Sequence, residues 1–305
     1  MDLKKELLNL GCDAVGLRPK GASDARLHAD LERDGFVVFR GVFSPAEIAD
    51  LRRRFAEASS RAEREGQLAR SSSLPVRYLK FDALSCRELR EVDYLVLDER
   101  VLRCVRSLLG DDVAYFSDSS IQIGTGVRGF HKDCAHREDR NGSDWQTSYD
   151  VIRMGLYLQE HEQSSGGLKL KPGSHRFVSS LWGRSINVDT RAGDLVFWKL
   201  TTSHSGNAVR LRAFPKASLH PRIESMVPAT LRVPEPEERM ALFCSFGKPG
   251  VHLDTYVNYL AGREDFCEYF RNSYHPQTAL SLARARGLEL RVPCAEFASR
   301  VGSAA

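Results

Sequence analysis

Gly129-Phe130-His131-Lys132-Asp133-Cys134 decides how the chain is read, together with Thr202-Ser203-His204-Ser205-Gly206 downstream. His131 and Asp133 stand two residues apart, so on an extended backbone both side chains leave the same face. A second imidazole from a distant strand, His204, completes a facial set of two histidines and one carboxylate. That donor set leaves open positions on a non-haem Fe(II) ion. An isolated H-x-D fits a surface turn as readily as a ligand pair, so its surroundings decide.

From Val113 onward the chain breaks into short apolar runs separated by Gly, Ser and Asn: Val113–Phe116, Ser120–Ile123, Val151–Leu158, Gly167–Leu170, Leu195–Trp198 and Met240–Phe246. Successive short strands with no helices between them predict a closed all-β barrel or double-sheet jelly roll, not a βαβ sheet. Upstream the texture is helical. Leu3, Leu7, Leu8 and Leu10 are at helical spacing, Gly16 to Ser23 reads as loop, and a helix is expected from Asp24 to the Asp34-Gly35 stop. Phe36-Val37-Val38-Phe39 reads as a strand. Ser44-Pro45 then opens a long helix, with Ser44 as N-cap, Glu47 completing a capping box and an end near Arg64. Gln67 to Pro75 is polar, Val76 to Phe81 is a strand candidate, and Glu99–Leu109 is an amphipathic helix stopped by Gly110. Helices return after about residue 252, clearest at His252–Leu260 and Gln277–Arg286. The expectation is one domain over residues 1–305, mainly β with helical additions (α+β). Its barrel or jelly-roll core spans about 112–247, between a helical N-terminal region over residues 1–111 and C-terminal helices over about residues 252–305.

With 42% hydrophobic and 28% charged residues, the 305-residue chain can bury a sizeable core. A net charge of +4 does not mark a nucleic-acid binder. No run has the length of a membrane span, which leaves only peripheral membrane contact open, and the N-terminus lacks the pattern of a signal peptide. Seven widely and irregularly spaced cysteines, without a C-x-x-C, indicate neither a zinc ribbon nor a disulfide framework. Reduced thiols in a cytoplasmic protein are expected, with Cys134 a packing residue. His175 reads as structural, His136 and His161 as solvated loop residues, Phe197 and Trp198 as core, and Arg52–Arg54 as a solvated helix face.

The order helix, Asp34-Gly35-Phe36-Val37-Val38-Phe39-Arg40-Gly41-Val42-Phe43-Ser44, long helix, H-x-D resembles the phytanoyl-CoA dioxygenase family. These are Fe(II)- and 2-oxoglutarate-dependent oxygenases on a double-stranded β-helix. Three further stretches are similar to the family's: Ser165-Gly166-Gly167 through Pro172-Gly173-Ser174-His175, Ala192-Gly193-Asp194-Leu195-Val196-Phe197-Trp198, and Thr202-Ser203-His204-Ser205-Gly206-Asn207. The resemblance covers roughly residues 25–250. It implies Fe(II) held by His131, Asp133 and His204, with 2-oxoglutarate and O2 as co-substrates. It further implies hydroxylation, since related halogenases carry Ala or Gly at the carboxylate position.

The family places an arginine about ten residues after the distal histidine, at the head of the next strand, where its fork pairs with the far carboxylate of 2-oxoglutarate. That spacing here meets Phe214-Pro215. The similar strand begins at Arg239, which implies an insertion over about 208–238; Arg210 and Arg212 remain rivals. Gln122 and Lys80 lie where relatives contact 2-oxoglutarate, and the register of the aromatic position near Tyr157 stays open. Lys132 replaces the family's usual Gln.

The inserted stretch carries Arg210, Arg212, Lys216, Arg222 and Arg232 against Glu224 and Glu235. It reads either as plain surface or as an irregular lid whose Arg212, Lys216 and Arg222 meet an anionic substrate. The resemblance allows a sugar acid or lipid-linked saccharide, the favoured classes, and equally an acyl-CoA, an amino acid or a natural-product intermediate. A non-catalytic barrel and a different cupin-like metal enzyme are the rival readings.

Overall fold

The structure is a computed structural model that describes residues 24–65, 69–70, 77–81, 95–124, 129–235, 237–263 and 277–291. The helix expected within residues 1–10, the loop Gly16–Ser23, most of the tract Gln67–Pro75 and the side chain of Lys80 lie outside the described residues.

Helix α1 (Asp24–Asp34) leads into β1 (Phe36–Phe39), and α2 (Pro45–Arg64) follows. The capping box at Ser44 is made. Glu47 N–H donates to Ser44 Oγ at 3.3 Å, and Ser44 N–H donates to Glu47 Oε2 at 2.8 Å. Next come the short strands β2 (Ala69–Arg70) and β3 (Arg77–Phe81), then α3 (Glu99–Leu109) and β4 (Val113–Ile123). The barrel continues with β5 (Val151–Tyr157), β6 (Gly167–Leu170), β7 (Ile186–Asn187), β8 (Leu195–Lys199) and β9 (His204–Ala208). A one-turn helix α4 (Pro221–Glu224) precedes β10 (Met240–Gly247), and α5 (Val251–Ala261), α6 (Gln277–Ala285) and β11 (Leu288–Leu290) follow it.

Two sheets face each other. The major sheet runs β1-β8-β5-β10-β4-β3-β2, with β11 added parallel to β4; the minor sheet runs β7-β6-β9. Strand alternation sorts the side chains. Ile152, Met154 and Leu156 of β5 join Leu242, Cys244 and the helices α1, α2 and α3 in an outer core. Tyr157, Val196, Trp198, Ala241 and Phe243 point the other way and meet Leu168 and Leu170 of the minor sheet. A third cluster packs α5, through Leu253, Tyr256 and Val257, against Phe116, Val151 and Cys134.

Two glycines are demanded by close approach. Gly35 has φ +80°, and a Cβ there would stand 2.5 Å from His175 Nδ1. Gly155 faces the barrel interior, and a Cβ there would stand 2.9 Å from the Trp198 ring.

The strand expected in two pieces, Val113–Phe116 and Ser120–Ile123, is one strand. Its register against β10 shifts between Phe243 and Ser245, so residues 117–119, which separate the two apolar runs, form a bulge within it. Arg52 is not simply solvated: its Nη1 donates to Gln159 Oε1 at 3.2 Å and Nε pairs with Glu237 at 2.8 Å.

Candidate metal centre and cofactor pocket

His131 and His204 are held by main chain. Each N–H donates to the other's carbonyl at 3.0 Å, an isolated antiparallel bridge at the edge of β9. Asp133 N–H donates to Leu200 O at 3.0 Å, which carries the H-x-D segment on past the end of β8. The ligand atoms of His131, Asp133 and His204 all lie within 4.8 Å of one another. His204 Nε2 is 3.3 Å from Asp133 Oδ2, and His131 Nε2 is 3.8 Å from Oδ1. Nδ1 of His131 donates to Gly129 O at 3.0 Å, and Nδ1 of His204 donates to Thr202 O at 3.1 Å. Because carbonyls only accept, both imidazoles carry the proton on Nδ1 and leave a bare Nε2 toward the carboxylate. Three unprotonated donors converging on one point suit a divalent cation.

Burial disfavours charge on Asp133, but the Arg153 guanidinium outweighs it and holds the carboxyl well below its ordinary value. Arg153 Nη1 is 3.5 Å from Asp133 Oδ2, and its Nη2 pairs with Asp118. Asp118 in turn accepts from Tyr256 Oη at 2.9 Å and Ser245 Oγ at 3.1 Å. The sequence reading missed Arg153 and Asp118. The signal was present in Val151-Ile152-Arg153-Met154-Gly155-Leu156-Tyr157, where apolar 152, 154 and 156 put Arg153, Gly155 and Tyr157 on the inward face.

Arg239 sits at the head of β10 and is 1% exposed. Its Nε donates to Gly166 O at 2.8 Å, its guanidinium lies 5.4 Å from the Tyr157 ring centroid, and its Nη1 is buried without a hydrogen-bond partner. A Cβ on Gly206, two residues beyond His204, would stand 3.8 Å from Nη2. Buried polar groups are normally paired. An unpaired fork arm near the turn that carries His204 fits the far carboxylate of a 2-oxo acid. Gln122 pairs in register with Ala241, whose other neighbour is Tyr157, so Gln122 faces the same interior; Lys80 pairs with Ser120 on the same strand. Tyr157 is thereby fixed as the inward aromatic residue of β5.

The profile of phytanoyl-CoA dioxygenase (PhyH) matches residues 31–210, more than half of the chain. The chain belongs to the phytanoyl-CoA dioxygenase family. The match ends where the base-rich stretch begins. An ectoine dioxygenase of Streptomyces coelicolor is 31% identical over 173 residues, 54% of this chain and 53% of that protein. One from Bordetella bronchiseptica is 24% identical over 233 residues, 64% of this chain and 73% of that protein. The chain spans about half the length of the first curated relatives it matches. Among solved structures, the non-heme alpha ketoglutarate dependent epimerase SnoN from nogalamycin biosynthesis superposes with a TM-score of 0.52 at 20% identity, covering 74% of this chain and 82% of SnoN. EctD from S. alaskensis, solved with 2-oxoglutarate and 5-hydroxyectoine, gives 0.50 at 18% identity over 77% and 80%. At such identities the likeness shows the fold, the double-stranded β-helix.

Arg210 is 5% exposed and its donors are spent on Asp189, Ser164 O, His161 O and Pro215 O, which leaves it no role as a carboxylate fork. Arg212, Lys216 and Arg222 are exposed. Their segment is mostly irregular, with α4 and a 3-10 turn Ala229–Leu231. It is fastened by Lys169, which donates to Leu219 O and Glu224. Lys169 lies between Leu168 and Leu170, which face the interior, so the segment covers the opposite, outer face of the minor sheet. Lys169 thus ties part of the segment behind the sheet that bears His204, while His220 brings another part to within 5.8 Å, ring to ring, of Phe130 next to His131.

Lys132 is buried and donates to Ser174 O at 2.7 Å and to Thr201 O, bracing the turn before His204; burial brings its ammonium down to about 8. His175 is buried as expected, bonding Glu32 O at 3.1 Å beneath Gly35. His161 is not solvated: it is 1% exposed, 5.1 Å from the Tyr157 ring, and burial lowers it to about 3. The loop after β5 turns back under Gly167 and Thr190, where a polar-loop reading could not place it. Cys134 is fully buried and burial pushes its thiol up, as befits packing.

Proposed function

We propose that this family member is an Fe(II)- and 2-oxoglutarate-dependent dioxygenase that hydroxylates an unactivated C–H bond of a small molecule or glycoconjugate. The observation that carries this is the convergence of His131 Nε2, Asp133 and His204 Nε2 within 4.8 Å. Family membership and relatives named ectoine dioxygenase support it. When bound, Fe(II) with 2-oxoglutarate and O2 supplies insertion of one oxygen atom into the C–H bond, the other oxygen leaving in succinate as CO2 is released.

The residues divide the work. His131, Asp133 and His204 hold the cation on one face, and Arg153 keeps Asp133 ionised and aimed. Arg239 Nη1 takes the far carboxylate of 2-oxoglutarate, and Gln122 and Lys80 contact the same co-substrate. Trp198, Phe243 and Tyr157 keep water from the interior. An acidic substrate, a sugar acid or lipid-linked saccharide, is supported by the exposed Arg212, Lys216 and Arg222, on a segment whose His220 ring lies 5.8 Å from that of Phe130, next to His131. A cytoplasmic setting belongs to the same proposal; no described helix is long and apolar enough to cross a membrane.

Anaerobic loading with Fe(II) and 2-oxoglutarate, then exposure to O2 and metabolite extracts, tests the reading. Succinate and a metabolite heavier by one oxygen are expected. Iron-independent turnover, or no succinate with any extract, refutes it.

A further inference from the structure

Among the described residues, every exposed large apolar side chain except Val251 lies on two loops. Phe177, Leu181 and Trp182 are on the loop between β6 and β7; Phe214, Met226 and Leu231 are on the segment between β9 and β10. Leu181 is 70% exposed and Met226 79%. The two loops adjoin: Ser218 Oγ and Ser185 Oγ are 2.9 Å apart, and Asn187 Nδ2 donates to Ala217 O at 3.2 Å. The rings of Phe177 and Trp182 stack with centroids 3.9 Å apart, which makes them one broad apolar plate.

In the stretches that carry these apolar side chains the exposed charge is basic. Residues 177–188 contain no acid, and residues 211–232 contain only Glu224, which is fully buried against Lys169. Arg184, Arg212, Lys216 and Arg222 are exposed around the apolar side chains. Concentrated exposed apolar surface marks an interaction site. A second copy meeting it face to face would set bases against bases with no acid to answer them. An anionic bilayer answers both features, because Trp, Phe, Leu and Met enter the headgroup–acyl boundary while Arg and Lys meet lipid phosphates.

We propose that this face docks the protein on an anionic lipid surface. It also borders the metal centre. Lys171 Nζ lies 4.5 Å over the Phe130 ring and donates to Leu181 O at 2.7 Å, so the residue before His131 is tied to the apolar loop. Docking therefore sets the rim beside His131 near the bilayer, where a lipid-linked substrate would be presented. That consequence rests on the proposed function; the docking does not.

The test is sedimentation of the full chain with vesicles, without iron or co-substrate, so its failure is separate from failure of the catalytic reading. Binding to phosphatidylglycerol/phosphatidylcholine vesicles is expected, falling with added salt and weak on pure phosphatidylcholine. Leu181→Ser/Trp182→Ser, and separately Arg212→Gln/Lys216→Gln/Arg222→Gln, should each weaken it at least about tenfold. Brominated lipids should quench wild-type tryptophan emission, a readout that needs no variant. No binding to the anionic vesicles at low salt, no quenching, or equal binding by folded variants overturns the proposal. So does a wild-type dimer that Leu181→Ser/Trp182→Ser converts to monomer.

Discussion

The backbones of His131 and His204 exchange both of their hydrogen bonds at 3.0 Å, and their rings lie tilted by 50° with centroids 4.3 Å apart. Two distant stretches are thus locked at one register position, and the spacing of the imidazoles comes from main chain. Ser174 extends the lock: its Oγ accepts from Ser203 N–H at 2.9 Å, while its carbonyl takes the Lys132 ammonium. The Pro-Gly-Ser-His turn therefore braces the distal histidine without touching the cation site.

Arg239 and Arg210 should separate cleanly. Arg239→Ala removes an unspent charged donor and should weaken 2-oxoglutarate binding by about 2–3 kcal/mol, on the order of a hundredfold in Kd. Arg210→Ala strands Asp189 and three carbonyls, so it should cost about 2–3 kcal/mol of stability with little change in co-substrate affinity. Co-substrate titration and urea melts of both variants check this. Arg210→Ala as the weaker binder would reverse the assignment.

His161 gives a pH prediction. It is neutral in the fold, lowered to about 3 by burial, with Arg239 and Arg210 adding to the effect. Below its unfolded value of about 6.5 the unfolded chain takes up a proton that the fold refuses. Its contribution is present in full above about pH 6.5 and is lost as pH falls toward 3. His161→Leu should flatten the acid limb of the stability curve relative to wild type, by roughly 1 kcal/mol or more between pH 6.5 and 5. Parallel slopes in chemical denaturation would show that His161 is not buried neutral.

Much of the fold was legible because it depends on local pattern. The capping box at Ser44, the stop at Gly35 and the short apolar runs of β1 and β8 each declare themselves within a few residues. The triad was legible only in context: H-x-D puts two donors on one face, and the resemblance of the stretch around His204 to the family's supplied the third. What escaped was set by contacts distant in sequence. The burial of Lys169 depends on the segment between β9 and β10, whose Leu219 O and Glu224 take its ammonium. Arg153 gains meaning only from Asp118 and Asp133, and the anchoring of the base-rich stretch through Glu224 depends on Lys169, some fifty-five residues earlier.

The Lys169–Glu224 pair is wholly buried, and Glu224 Oε1 also accepts from Val209 N–H at 2.8 Å. Lys169→Met alone leaves a buried carboxylate without its counter-charge and should cost about 3–5 kcal/mol. Lys169→Met/Glu224→Leu should recover most of that loss. Thermal melts of the single and double variants decide; equal destabilisation would mean the pair does not anchor the segment.

We propose that His131, Asp133 and His204 together hold one Fe(II) in register with 2-oxoglutarate. The most direct measurement is anaerobic Fe(II) titration in the presence of 2-oxoglutarate, followed by the visible charge-transfer absorption of the ternary complex. Wild type should saturate at about one iron per chain. Asp133→Ala and His204→Ala should each lose the band while keeping a melting transition within about 1–2 kcal/mol of wild type. An undiminished band at unchanged iron affinity in either folded variant would contradict the account.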